Sequence, residues 1–158
     1  MNYLNYASPL GTLLLAASDL GLAGVYFERH SHFQGGAGWR QDERDPVLLQ
    51  AARQLGEYFA GLRRSFDLPL DLSAGSAFQQ AVWRALQDIP YGRTESYAGL
   101  ARRLAKPAAV RAVGAANGRN PLSIIVPCHR VIASSGALTG YAGGLHNKQI
   151  LLELEMAL

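Results

Sequence analysis

The stretch Asn120-Pro121-Leu122-Ser123-Ile124-Ile125-Val126-Pro127-Cys128-His129-Arg130-Val131 constrains this chain more than any other. Its apolar run, Leu122 to Val126, is broken only by Ser123, and the trio Ile124-Ile125-Val126 is β-branched. Such residues pack well on a pleated surface, so the run predicts a buried strand. Pro127 has no amide hydrogen to give to a ladder; it is expected to end the strand and set Cys128 at its mouth. Cys128 is the only cysteine. A lone cysteine is by default a small buried hydrophobe. Here the neighbours His129 and Arg130 can both be cationic, the setting in which a thiol becomes reactive. Adjacent side chains of a strand point to opposite faces, so Cys128 and His129 can cooperate only across a turn or through a bridging water.

Bulk properties narrow the classes. With 158 residues, 49% of them hydrophobic, the chain can form one large domain or two small ones around a real core. A single cysteine excludes an intramolecular disulfide and the multi-cysteine zinc modules. His30 and His32 stand two apart without a second ligand pair; they are expected in a surface loop, with metal binding as the minor alternative. No signal peptide is visible, and no apolar stretch approaches the roughly 20 residues that cross a bilayer. A soluble, cytoplasmic protein is expected. The net charge of +3 is unevenly spread: residues 1–75 carry 6 basic and 8 acidic side chains, residues 76–158 carry 9 and 4. Between 92 and 130, Arg93, Arg102, Arg103, Lys106, Arg111, Arg119 and Arg130 face only Glu95. Such a half suits a polyanion.

In chain order, Met1 to Tyr6, Gly11 to Ser18 and Leu22 to Glu28 read as short strands joined by tight turns. His30 to Arg44, polar and Gly-rich, reads as a flexible loop. Asp45-Pro46 starts a helix by cap and first-turn proline, with Leu48, Leu55 and Tyr58-Phe59 at helical spacing and Gly61 as its stop. Phe66, Leu68, Leu70 and Leu72 alternate with Asp67, Pro69 and Asp71, predicting an edge strand. Residues 1–74 therefore form a small α/β domain, an antiparallel sheet plus a helix, in which nothing looks catalytic. Ser73-Ala74-Gly75 is the boundary to a mainly α domain over 76–158.

That second domain opens with Ser76-Ala77-Phe78-Gln79, a capping box, and Phe78, Val82, Leu86 and Ile89 follow on one helical face. A helix near Ser96 to Leu104 is broken at Lys106-Pro107. Pro107 is expected to begin the next helix, Ala108 to Asn117. This last is built almost entirely of small residues, with Arg111 as its one long side chain. Two short helices with a tight break, the second small-faced and basic, form a helix-turn-helix pattern suited to close approach to nucleic acid. Asn147-Lys148 begins a closing helix that ends near Glu155.

These residues resemble a known family. Pro127-Cys128-His129-Arg130, preceded by Ile-Val and by Asn120-Pro121, is similar to the active-site signature of the O6-alkylguanine-DNA alkyltransferases. The likeness runs through Phe78-Gln79, Val82-Trp83, Pro90-Tyr91-Gly92, Ser96-Tyr97, Arg111-Ala112-Val113-Gly114, Tyr141-Ala142-Gly143-Gly144-Leu145 and Lys148 to Glu155. Residues 1–74 agree only in layout. The resemblance implies a ribonuclease-H-like support domain followed by a winged-helix, helix-turn-helix-like DNA-binding and alkyl-acceptor domain. It implies a suicide methyltransferase that flips O6-alkylguanine, and O4-alkylthymine, out of duplex DNA. The alkyl group then moves irreversibly to Cys128. Carried over by position, His129 accepts the thiol proton through a water and Glu155 orients that histidine. Asn120 braces the turn and Tyr97 assists the departing guanine. Arg111 fills the gap in the base stack, with Tyr97, Ala98, Lys106, Ala112 and Ser134 against the DNA. Val131, Tyr141 and Ala142 line the base pocket.

A thiol of ordinary pKa, about 8.5, is only a few per cent ionised at neutral pH, so such chemistry needs a relay. The thioether product offers no carbonyl for water to attack; one turnover per molecule and no cofactor are expected. So are a monomer without DNA and no obligate protein partner. Position 142 is alanine where some relatives have serine, leaving only its backbone amide to contribute. The cysteine-rich N-terminal module and structural zinc cysteines of other relatives are missing. Two other readings compete: a non-catalytic helix-turn-helix protein that binds or marks damaged DNA, and a cysteine hydrolase using Cys128 with His129, which would need an oxyanion hole.

Overall fold

The computed structural model describes all of residues 1–158. Strands β1 (Asn2–Ser8), β2 (Gly11–Ser18) and β3 (Gly21–Tyr26) form an antiparallel meander, and β4 (Arg40–Gln41) pairs in parallel with β1, giving the order β3-β2-β1-β4. Ser8 and Ser18 close the two hairpins, each hydroxyl accepting from the amide two residues on, at 3.1 Å. Gly21 has φ 145°, and a Cβ there would lie 2.5 Å from the Pro69 carbonyl, so the second turn demands glycine.

Helix α1 (Pro46–Phe59) packs on this sheet, started as expected by Asp45, whose carboxylate accepts from Val47 N at 2.9 Å. Its inward face is Leu48, Ala51, Gln54, Leu55 and Tyr58. The strand expected over Phe66 to Leu72 shrinks to one bridge between Leu22 and Leu70. Pro69 gives no amide hydrogen, and Gln54 takes both the amide and the carbonyl of Asp67 at 2.9 Å, so no ladder extends. Residues 30–44 are not the loose loop the composition suggested. Phe33 stacks on Tyr26 at 3.8 Å between ring centres, and β4 lies within the segment. His30 is half-buried rather than on the surface, its Nδ1 accepting from Phe27 N at 3.2 Å. Burial, then the charge of His32, pushes its pKa down to about 4.

The second half holds α2 (Ala77–Leu86), β5 (Glu95–Ser96), α3 (Tyr97–Arg103), α4 (Val110–Gly118), a 3-10 turn (Cys128–Arg130), β6 (Val131–Ile132) and α5 (Leu145–Leu154). The Ser76–Gln79 capping box is formed in both directions. Trp83 Nε1 donates to Ala116 O at 2.8 Å and ties α2 to α4. Helix α4 starts at Val110, not Ala108: Pro107 and Ala108 are spent in a turn closed by Ala109 N to Lys106 O, after Ala105 at φ 58°. Strands β5 and β6 form a two-stranded parallel sheet beside the helix pair. One continuous apolar core joins Leu13, Leu15 and Tyr58 of the first half to Val82, Leu122, Val126 and Leu151 of the second. No helix is long and apolar enough to cross a membrane.

The largest departure lies in the Leu122–Val126 run. It is fully buried, as its apolarity demands, but it is not a strand. Only Leu122 bridges to the sheet, at Val25. Beyond it the backbone coils: Ile125 N reaches Ser123 O at 2.8 Å, Val126 N reaches Leu122 O at 2.9 Å, and Ile124 sits at φ 73°. That conformation costs a β-branched residue about 1–3 kcal/mol. The Asn120 side chain holds the coil, donating to Val126 O at 2.8 Å and accepting from Leu122 N at 3.0 Å. These bonds satisfy buried main-chain groups that a strand would have paired with a neighbour.

Candidate active site

Because the chain has coiled, Cys128, His129 and Arg130 occupy successive positions of a single 3-10 turn, closed by Arg130 N to Pro127 O at 3.0 Å. At three residues per turn their side chains fan out around an axis instead of alternating across a strand. Cys128 and His129 therefore sit on a turn and not on a strand. All three are buried. Burial pushes the Cys128 thiol up to about 11, against the opposing pull of the Asn120 amide and the Lys148 ammonium.

His129 Nε2 lies 2.7 Å from Glu155 Oε2. An ionised carboxylate only accepts, so Nε2 carries the proton and Nδ1 keeps its lone pair. Nδ1 has no hydrogen-bond partner within the protein. Burial lowers the proton affinity of the ring, and the bond to Glu155 works against that. Arg130 grips the same carboxylate, Nε to Oε1 at 2.7 Å and Nη2 to Oε2 at 3.1 Å, while Nη1 donates to Ile89 O at 2.7 Å. Tyr58 donates to Glu155 Oε2 at 2.5 Å. Burial pushes the Glu155 carboxyl up, but the hydrogen bonds and charges of His129 and Arg130 outweigh it and hold the pKa down to about 2.

A carboxyl held below its ordinary 4.5 stabilises the fold above that pH and loses the contribution as pH falls toward about 2. The shift corresponds to something on the order of 3 kcal/mol. Urea midpoints measured from pH 6 to pH 2.5 are expected to fall most steeply below pH 4.5. The Glu155→Gln variant, with no group to titrate there, should show a flatter acid limb.

Lys148 is a second buried cation. Its Nζ donates to the carbonyls of Val131, Thr139 and Gly140 at 2.6, 2.9 and 3.2 Å, pinning the 131–140 loop against α5. Burial lowers its pKa to about 8, with Cys128 pulling the other way. Tyr97, first residue of α3, donates from its hydroxyl to Thr139 O at 3.0 Å and ties the helix pair to the same loop. A cavity of about 270 Å³ opens among Tyr97, Gly114, Asn117, Tyr141 and Ala142, with Ser31 and His32 of the first domain on its rim. Ser31 N donates to Ala142 O at 2.8 Å, so the first domain helps wall it.

The predicted residues thus divide. Cys128, His129, Glu155 and Asn120 form one buried cluster; Tyr97, Tyr141 and Ala142 line the cavity. Val131 and the Cys128 backbone, both expected at the pocket, are not on its wall: Cys128 is buried in the 3-10 turn, and Val131 is wholly buried in β6 with its carbonyl taken by Lys148. Arg111, Ala112, Lys106 and Ser134 are exposed, and Ala98 is half-buried. Sequence reasoning missed Tyr58, Lys148 and the Ser31–His32 rim. Tyr58 reads as one more apolar position on the α1 face, although a buried tyrosine normally needs a partner for its hydroxyl. Lys148 signalled itself by falling on the same α5 face as Leu151, Leu152 and Glu155.

Residues 77–157 match the family described as 6-O-methylguanine DNA methyltransferase, DNA binding domain, and residues 1–72 match the ribonuclease-like domain of the same family. The chain is 50% identical over 155 residues to a methylated-DNA–protein-cysteine methyltransferase of Mycolicibacterium paratuberculosis, covering 98% of this chain and 92% of that one. Against the constitutive methylated-DNA–protein-cysteine methyltransferase of Bacillus subtilis the identity is 44% over 163 aligned positions, covering 98% and 96%. The crystal structure of Mycobacterium tuberculosis OGT in complex with DNA superposes with a TM-score of 0.91 at 46% identity, covering 99% and 94%. Matched over both domains in sequence and in fold, this chain belongs to the 6-O-methylguanine DNA methyltransferase family.

Proposed function

We propose that this chain repairs DNA by direct reversal, taking the alkyl group of an O6-alkylguanine in duplex DNA onto Cys128, once per molecule. The observation that carries the reading is the buried turn in which Cys128 adjoins a histidine bonded to Glu155 at 2.7 Å, in the same domain as a helix pair with an exposed Arg111. At rest the thiol is neutral. Its proton passes through a water to Nδ1 of His129, and Glu155 stabilises the imidazolium that results. The sulfur then forms a bond to the alkyl carbon as the bond from that carbon to O6 breaks. Guanine leaves with the displaced electron pair and gains a proton, assisted by the Tyr97 hydroxyl once it turns from the Thr139 carbonyl, so thiol and alkoxypurine become thioether and guanine. The 270 Å³ cavity is where the flipped base would sit, Tyr141 and the Ala142 amide against it. O4-alkylthymine, with the same alkoxy carbon beside a ring nitrogen, is the expected second substrate.

Incubation with duplex DNA containing O6-methylguanine should raise the intact protein mass by one methyl, located on the peptide carrying Cys128. An unchanged mass with retained DNA binding would refute transfer. Arg111 serves flipping, not bond making: its side chain is exposed on the first turn of α4 and would replace the extruded base in the stack. Arg111→Ala is expected to slow repair in duplex DNA by about 10- to 100-fold, the scale of a few kcal/mol of unstacking. Reaction with free O6-benzylguanine should change by less than about twofold, because no base has to leave a stack. Parallel single-turnover assays on the two substrates measure the split.

A further inference from the structure

We infer that Tyr58 is a positioning residue of the relay, so that the first domain supplies part of the alkyl-transfer machinery and not only its support. The inference rests on the reading of Cys128 as alkyl acceptor.

The hydroxyl of Tyr58 reaches across 97 residues of sequence to Glu155 Oε2 at 2.5 Å, the same oxygen that receives His129 Nε2 at 2.7 Å and Arg130 Nη2 at 3.1 Å. Glu155 needs such a hold. It lies one residue beyond α5 and is followed by Met156 at φ 56°, so no further helical turn fixes its direction. Arg130 grips the carboxylate edge-on through both oxygens, which sets its plane. Tyr58 approaches from α1, a separate element, and ties Oε2 on another side. Three elements, α1, the 3-10 turn and α5, then determine where the oxygen facing His129 lies.

The polarity of this contact is also fixed. The carboxylate is held at a low pKa and can only accept, while burial, then the charge and hydrogen bond of Glu155, drive the phenol far above its usual range. Tyr58 is therefore a neutral donor throughout the working range. Its ring is fixed by packing, 5.5 Å from Phe66 and 6.2 Å from Tyr91 between ring centres, and Arg130 lies over Tyr91 at 5.8 Å. Phenylalanine at this position would keep the ring contacts and delete only the hydroxyl. The competing account makes the hydroxyl a core group that merely needed an acceptor.

The two accounts separate in a mutant cycle on the free base, where DNA binding plays no part. Tyr58→Phe should slow transfer from O6-benzylguanine about tenfold, the scale of one charge-assisted hydrogen bond. In a His129→Asn background the same change should slow it less than about twofold, because the path through Glu155 then has no imidazole to act on. An unchanged rate in Tyr58→Phe, or equal slowing in both backgrounds, would overturn the positioning role. So would loss of the folded state, followed by near-ultraviolet circular dichroism, since it would assign the hydroxyl to stability. If the unsubstituted protein fails to transfer at all, the proposed function falls instead, and the cycle reports that separately.

Discussion

Cys128→Ala should emerge from incubation with methylated duplex at unchanged mass, still bound to the DNA and with the O6-methylguanine intact. No other group can take over. Cys128 is the only cysteine in the chain. Lys148, a second buried nucleophile, has its amine committed to three carbonyls between 2.6 and 3.2 Å, and the His129 nitrogen is a far poorer acceptor of an alkyl group than a thiolate. The loss of transfer should therefore be complete within detection. Folding should survive: alanine removes one sulfur from a packed site, a change that costs about 1 kcal/mol against a typical 5–15. Binding should survive too, because the proposed DNA contacts Lys106, Arg111 and Ser134 are exposed whereas the thiol is buried. Intact mass, a gel-shift titration and base analysis of the recovered DNA make the three measurements. Loss of binding together with transfer would mean that the cysteine shapes the DNA surface, contrary to its burial.

Glu155→Gln is the second large effect, and it acts on both rate and stability. The carboxylate takes four donor bonds, from Tyr58, His129 and two nitrogens of Arg130. A carboxamide offers one oxygen and sets an NH2 beside Arg130, which can only donate. Arg130, 6% exposed, is then a buried charge without a counter-ion. Breaking such a pair by removing one partner costs about 3–5 kcal/mol. The protein should remain folded at low temperature and unfold early on heating. Transfer should fall by about 10²- to 10³-fold, because thiolate formation loses the charge that stabilises the imidazolium. The fall should be equal for duplex DNA and for free O6-benzylguanine, in contrast to Arg111→Ala. A selective loss on duplex DNA would place Glu155 in DNA binding and contradict its depth in the fold.

Local chemistry made much of this architecture readable. Asp45-Pro46 and Ser76 to Gln79 named helix starts because capping is settled by a few adjacent atoms. The strands up to Tyr26 and the face of α2 followed from periodicity. The buried cluster of Cys128, His129 and Glu155 was legible through the motif and the family resemblance it carries. What failed was non-local. Leu122 to Val126 has strand composition, yet Asn120 offers its backbone a closer set of partners and the run coils. Burial was predicted correctly and conformation was not, since apolarity governs the first and competing hydrogen bonds the second. The Phe66 to Leu72 strand failed likewise, to Gln54 and Pro69. The Tyr58–Glu155 bond was invisible because it is a contact between domains, and a helical face shows only that a side chain is buried.

The depth of Cys128 has a further meaning for a protein in which each molecule acts once. Repair capacity is then an inventory, and every thiol lost to a stray oxidant is a lesion left standing. With 2% exposure and a pKa near 11, the sulfur is almost never a thiolate at neutral pH and is almost never touched by solvent. Low idle reactivity gives the stock a long shelf life, and under the proposed mechanism sensitivity returns when a base occupies the pocket and the relay is engaged.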